Sequence, residues 1–152
     1  IMDANGNVLK TDSETIQYID PASTFYFGGE FYISKGNPSK FKVLVEADGF
    51  VDVNKGQTFM DGVSFSSYNI SKDRWNNLSF TGNINNNYKK RINWLKVYAV
   101  FRDSNKKISG GTNFNVQDLF PSAVDGFNTS INSTANIESV QTSVDFEIRD
   151  LM

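Results

Sequence analysis

Trp94-Leu95-Lys96-Val97-Tyr98-Ala99-Val100-Phe101 is the most apolar run in the chain. It falls far short of the ~20 uninterrupted apolar residues that cross a bilayer, and Lys96 interrupts it. Its side chains alternate. Leu95, Val97, Ala99 and Phe101 share one face of an extended segment, while Trp94, Lys96, Tyr98 and Val100 share the other. Period-2 alternation predicts a strand with one face in a core, as in antiparallel sheets.

The same pattern recurs on both sides of this run. Phe25, Phe27, Phe31 and Ile33 line one face of a predicted strand, with Gly29 between them. Phe41, Val43 and Val45 alternate with Lys42, Leu44 and Glu46, and Val140, Val144, Phe146 and Ile148 form a further strand near the end. Turn signals separate these segments: Asn5-Gly6, Asp48-Gly49, Asp61-Gly62, Thr81-Gly82-Asn83, Asp103-Ser104-Asn105 and Asp125-Gly126. Short strands between such turns predict an all-β antiparallel sandwich or barrel. Residues 116–119 are the one place where a single helical turn is expected.

Composition agrees. The 152 residues suffice for one domain or two small ones, and 39% of them are hydrophobic. Thirteen Phe and 18 Asn suit pleated surfaces and tight turns. No cysteine is present, so disulfide and thiol chemistry are excluded, and the absence of histidine removes the commonest general base and metal ligand. With 15 basic and 17 acidic side chains, the net charge of −2 argues against nucleic acid as a partner. Ile1-Met2-Asp3-Ala4-Asn5-Gly6 lacks the pattern of a signal peptide, so an exported protein is expected to be seen here in mature or trimmed form.

Sliding the chain along itself by 100 positions aligns residues 1–27 with 101–127 without a gap. Asp3 meets Asp103, Asn5 meets Asn105, Gln17 meets Gln117, Pro21 meets Pro121 and Phe27 meets Phe127. Both copies read as an apolar strand end, an Asp-x-Asn turn, a strand, an apolar-x-Pro corner and a strand near a Phe, which is a supersecondary unit repeated. The competing account is that hairpins of any all-β protein resemble one another at their turns. On the repeat reading, residues 61–152 form a complete module and residues 1–60 resemble the back half of another, giving one and a half repeats packed together. Each Phe left in water by a half-module would gain ~1.5–3 kcal/mol on burial. The N-terminal part is thus expected to pack on the other module, complete a larger sandwich with it, or dimerise.

Residues 78–148 resemble a known pattern. Leu78-Ser79-Phe80-Thr81-Gly82-Asn83, then the strand from Leu95 to Phe101 followed by Arg102-Asp103-Ser104-Asn105, then Asp118-Leu119-Phe120-Pro121 and Phe127 are similar to the FxLYD-type module, with a half-repeat at 1–34. In the signature only Asp103 matches: Arg102 stands where Tyr is usual, Phe101 where Leu is usual and Ala99 where Phe is usual, and Ser122 replaces the Gly after Pro121. The resemblance implies an immunoglobulin-like β-sandwich from bacterial extracellular lipoproteins and surface proteins, without assigned catalytic activity.

Candidate site residues are aromatic. Trp94, Lys96 and Tyr98 on the second face of the central strand present two aromatics flanking a cation, a pattern suited to stacking on sugar rings. Tyr88 lies in the basic cluster Tyr88-Lys89-Lys90-Arg91, and Trp75 in Ser71-Lys72-Asp73-Arg74-Trp75-Asn76 is the other candidate, with capping the end of a core as its simpler account. The other account places Trp94 and Tyr98 beneath the N-terminal strands or a loop, since large aromatics are more often buried than displayed. Carboxylate pairs such as Asp145 with Glu147, or Glu30 with Glu46, are the enzyme candidates. A solvated strand face is the simpler account of Asp145 and Glu147. Asp3-Ala4-Asn5-Gly6-Asn7 has oxygen ligands at alternate positions but lacks the downstream Glu of calcium loops, and a hairpin turn accounts for it.

The expected function is that of a non-catalytic binding or structural module at a bacterial cell surface, its partner an unknown protein or cell-wall glycan. The alternative is a carbohydrate-binding module. Nothing in the sequence asks for a cofactor or metal, no transmembrane segment is expected, and a lipid anchor upstream is compatible with this reading.

Overall fold

A computed structural model describes residues 1–47, 49, 58–133, 136–148 and 151. The chain divides into two compact units, Ile1–Thr15 with Phe31–Gln57 and Ile16–Glu30 with Thr58–Met152. Residues 16–30 therefore group with the C-terminal strands, a division that no composition shift in the sequence marks.

The larger unit carries a 3-10 turn, Met60–Gly62, and six strands: β1 (Val63–Lys72), β2 (Leu78–Asn86), β3 (Ile92–Arg102), β4 (Ile108–Leu119), β5 (Val124–Ile131) and β6 (Ser139–Phe146). They form two antiparallel sheets, in the orders β1-β2-β5 and β4-β3-β6. The sheets meet through their aromatics. Phe80 on β2 lies edge-on to Phe101 on β3 at 5.6 Å, and Phe114 on β4 stacks on Phe127 of β5 at 4.9 Å. Phe80, Ala99, Phe101 and Ile131 form a buried cluster, with Ile70, Leu78 and Val140 among the residues packed against it. The all-β sandwich expected from alternation is present, and the inward face of β3 is the one predicted, with Leu95, Val97, Ala99 and Phe101 fully buried.

The outer face of β3 is also covered, by residues 16–30. Phe25 and Phe27 place their rings 5.3 and 5.2 Å from that of Tyr98. The Tyr26 N–H donates to Ser143 Oγ at 2.7 Å, the Gln17 N–H donates to Asp145 Oδ1 at 2.7 Å, and Asn113 Nδ2 donates to the Gly28 carbonyl at 3.2 Å. Gly28 is required for this approach, because a Cβ there would stand 2.0 Å from the Ala99 carbonyl oxygen and 2.8 Å from that of Thr112.

Several expectations are corrected. Residues 25–33 and 41–46 contain no strand. The first segment makes its contacts through rings and side-chain hydrogen bonds instead of a ladder, and in the second Phe41, Val43, Leu44 and Val45 are all exposed. Thr81-Gly82-Asn83 and Asp125-Gly126 are not turns, since they lie within β2 and β5. Gly82 is small for packing, because a Cβ there would fall 2.9 Å from the Phe127 ring and from the Tyr68 backbone. Residues 116–119 continue β4 and form no helical turn. Asp48 of the Asp48-Gly49 signal lies outside the described residues.

Asp-led turns recur three times, at Asp3, Asp73 and Asp103. In each, Asp Oδ1 accepts the N–H groups of the second and fourth residues beyond it at 2.8–2.9 Å. In each, the third residue beyond it has a positive φ: 89° at Gly6, 68° at Asn76 and 63° at Lys106. The Asp73 turn joins β1 to β2 and has no counterpart in the 100-residue spacing, so the turn belongs to the local Asp pattern. The Pro corners share a second geometry. The Ser23 N–H bonds the Asp20 carbonyl and the Ala123 N–H bonds the Phe120 carbonyl, with φ of 58° at Ala22 and 56° at Ser122. Pro at the second position and positive φ at the third are the marks of a type II turn.

In the smaller unit Met2 is bridged antiparallel to both Val8 and Lys40.

Candidate functional site

The five aromatic and basic candidates do not converge. Tyr98 is fully buried beneath Phe25 and Phe27, and Trp94 is 37% exposed, so the two do not make an open stacking platform. The physical reason is the position of β3. It is the middle strand of its sheet, and the chain's own residues 16–30 cover the face that the sequence left open. Lys96 Nζ lies 5.3 Å from the centre of the Tyr98 ring, close enough for a cation–π contact.

Tyr88 is a packing wedge. A Cβ on Gly62 would fall 2.0 Å from its ring, and its hydroxyl donates to the Phe59 carbonyl. Burial, reinforced by the nearby Asp20 carboxylate, pushes the Tyr88 phenol up to about 12. Tyr18, edge-on to Phe59 at 5.7 Å, is raised in the same direction by burial first and by Asp20 next. Asp20 is itself buried and accepts the N–H groups of Phe59 and Met60 at 2.8 Å each. That carboxylate thus holds the start of the 3-10 turn against the sandwich. Sequence reading missed it, since the pairing spans 39 and 40 residues.

Asp145 is also reassigned. It was expected on a solvated strand face, but it is fully buried and takes the Gln17 N–H. It stands opposite Lys96 in the β3–β6 register. Glu30, a further enzyme candidate in the larger unit, receives the backbone and side-chain N–H groups of Asn132 at 3.2 and 2.9 Å. Both carboxylates tie residues 16–30 to the sandwich. Among the described residues, no three His, Cys, Asp or Glu side chains gather where they could hold a metal ion.

Asn86 is a further anchor with no local signal in the sequence. It is buried, and its Nδ2 donates to the carbonyls of Lys90 and Leu119 at 3.0 and 2.9 Å while Oδ1 accepts the Tyr88 N–H at 2.9 Å. It ties the end of one sheet to the end of the other.

Trp75 is the most exposed of the aromatic candidates. It is 66% exposed, in the Asp73 turn, and the Arg74 guanidinium lies 3.8 Å from the centre of its ring. Hydrogen bonds from Asn77 above all, opposed in part by desolvation, hold the Asp73 carboxyl below its usual value. Beside the turn is an open recess of about 360 Å³ lined by residues that include Lys72, Asn76, Leu78, Asn136 and Ile137. Tyr88 follows the far end of β2, roughly 27 Å away along the nine-residue strand. No helix among the described residues is long and apolar enough to cross a membrane. Comparison with protein-family models, curated proteins and solved structures finds no match to the chain.

Proposed function

We propose that the chain is a non-catalytic structural or binding module of an extracellular bacterial surface protein or lipoprotein, built on an immunoglobulin-like sandwich of the FxLYD kind. One observation carries this reading. β3, the middle strand of its sheet, is packed on both faces by the chain's own apolar residues at Tyr98 and Phe101, so these two aromatics serve packing while Trp94 at the strand's start stays 37% exposed. A central strand packed on both faces suits a rigid spacer that presents its loops and ends to a partner. The sheet orders β1-β2-β5 and β4-β3-β6 are compatible with an immunoglobulin-like arrangement. The matching Pro21 and Pro121 corners support the repeat, and the positive φ at Ser122 falls where the family pattern has Gly.

The second reading is sugar binding at Trp75, favoured by its exposure and the polar recess beside it. A thermal-shift screen against oligosaccharides, peptidoglycan fragments, divalent metals and chelator separates the two. A ligand at about 100 times its Kd adds about 2.7 kcal/mol, or about 5–11 °C for a chain of this size. The spacer reading expects a silent screen. A sugar-induced shift abolished by Trp75→Ala would overturn it in favour of the second.

A further inference from the structure

Met2 holds the place in the smaller unit that Arg102 holds in the larger one. Arg102 ends β3 and pairs with Ile108, the first residue of β4, and with Ser139, the first residue of β6. Met2 pairs with Val8 and with Lys40. Met2 and Val8 lie 100 residues before Arg102 and Ile108, and Lys40 lies 99 before Ser139. The hydrogen bonds follow the same shifts. The Ser39 N–H donates to the Met2 carbonyl at 2.9 Å, and the Glu138 N–H donates to the Arg102 carbonyl at 2.8 Å.

Continuing that register makes Phe41, Val43 and Val45 the counterparts of Val140, Thr142 and Val144 on β6. Their surroundings differ sharply. Val144 is 4% exposed beside β3, whereas Val45 is 90% and Val43 78% exposed. Antiparallel pairing at Met2 and Lys40 places a strand that leads into Met2 alongside 41–46, as β3 leading into Arg102 lies alongside β6. The larger unit shows the chemistry of that strand, with apolar side chains at every second position facing a sandwich core.

We infer that the described residues of the smaller unit, 1–15 and 31–47, belong to the closing half of a second sandwich module, and that residues 41–45 receive an extended strand of the β3 type running antiparallel to them into Met2. This rests on the repeat reading above. A second copy of the chain does not offer such a strand, since its own β3 is paired along both edges.

The test places a copy of residues 61–100 directly ahead of Ile1, so that the joint mimics Val100-Phe101, and follows amide exchange residue by residue. Protection of residues 41–45 should rise at least tenfold while that of β1 to β6 stays unchanged. Val45→Asp should cancel the gain in the extended chain and leave the original chain unaffected. If the longer graft disturbs β1 to β6, a graft of residues 92–100 alone gives the same readout. Unchanged exchange at 41–45 in a chain whose β1 to β6 remain protected overturns the inference. Because the readout is backbone protection, its failure is distinct from a positive sugar screen, which would overturn the spacer reading.

Discussion

Gly28→Ala tests whether residues 16–30 are an integral layer of the sandwich. The new methyl group would meet three backbone atoms, Ala99 O at 2.0 Å, Ala99 C at 2.7 Å and Thr112 O at 2.8 Å. Those atoms belong to the paired strands β3 and β4, so they cannot yield without breaking the ladder between them. The chain at residue 28 must lift instead, which strains the Phe25 and Phe27 contacts on Tyr98 and the hydrogen bonds to Ser143 and Asn113. Overpacking of this kind costs about 1–3 kcal/mol. Partial loss of Phe burial adds to it, at up to about 1.5–3 kcal/mol per ring. A total near 3 kcal/mol corresponds to a fall in Tm of about 6–12 °C. Gly29→Ala is the control, since its Cβ would meet only the Asn113 side-chain nitrogen at 3.4 Å and the Phe27 ring at 3.8 Å. It should change stability by less than about 1 kcal/mol. Thermal unfolding of the two variants beside the parent decides the matter. Equal Tm values for Gly28→Ala and Gly29→Ala would refute the close approach and with it the covered face of β3.

Other predictions follow from the same contacts. Asn86→Ala should cost at least about 2 kcal/mol in denaturant unfolding, because it strips partners from two carbonyls and an N–H, and a buried unsatisfied group costs about 1–3 kcal/mol. Tyr88 should ionise at about pH 12, above the ordinary phenol value of 10.0, in an alkaline absorbance titration. Since its folded value is raised from 10.0 to about 12, its contribution is complete below pH 10 and is lost as pH rises through about 12; Tyr88→Phe should remove that part of the alkaline loss. Asp3 and Asp73 are shifted the other way, chiefly by hydrogen bonds from Asn7 and Asn77. Their stabilisation is present above the ordinary carboxyl value of 3.8 and is lost as pH falls through their lower folded values, which carboxyl chemical shifts would follow. Trp75→Ala should leave stability within about 0.5 kcal/mol of the parent, as expected for an exposed side chain.

Local pattern was enough for the sandwich. Alternation placed β3 and β6, and the Asp103 turn between β3 and β4 followed from Asp and Asn in fixed positions, because both signals act over a few residues. The same local rules misplaced Gly82 and Gly126, which read as turns by residue type but sit inside strands. A glycine that makes room for a ring cannot be told from one that turns the chain until the opposing Phe127 is in view. They also misassigned 41–46, where alternation is clear but no strand among the described residues pairs with it.

The amino-acid sequence by itself determined that this is an all-β chain with Asp-led hairpin turns, without thiol or histidine chemistry, and that β3 carries aromatics on its second face. Only the tertiary structure decided what that face does. Residues 16–30 return over it with Gly28 against the backbone of Ala99, while Asp145 and Ser143 receive their N–H groups. These pairings span 117 and 128 residues, beyond the reach of any periodicity, and they turn Tyr98 from a candidate binding residue into part of the core.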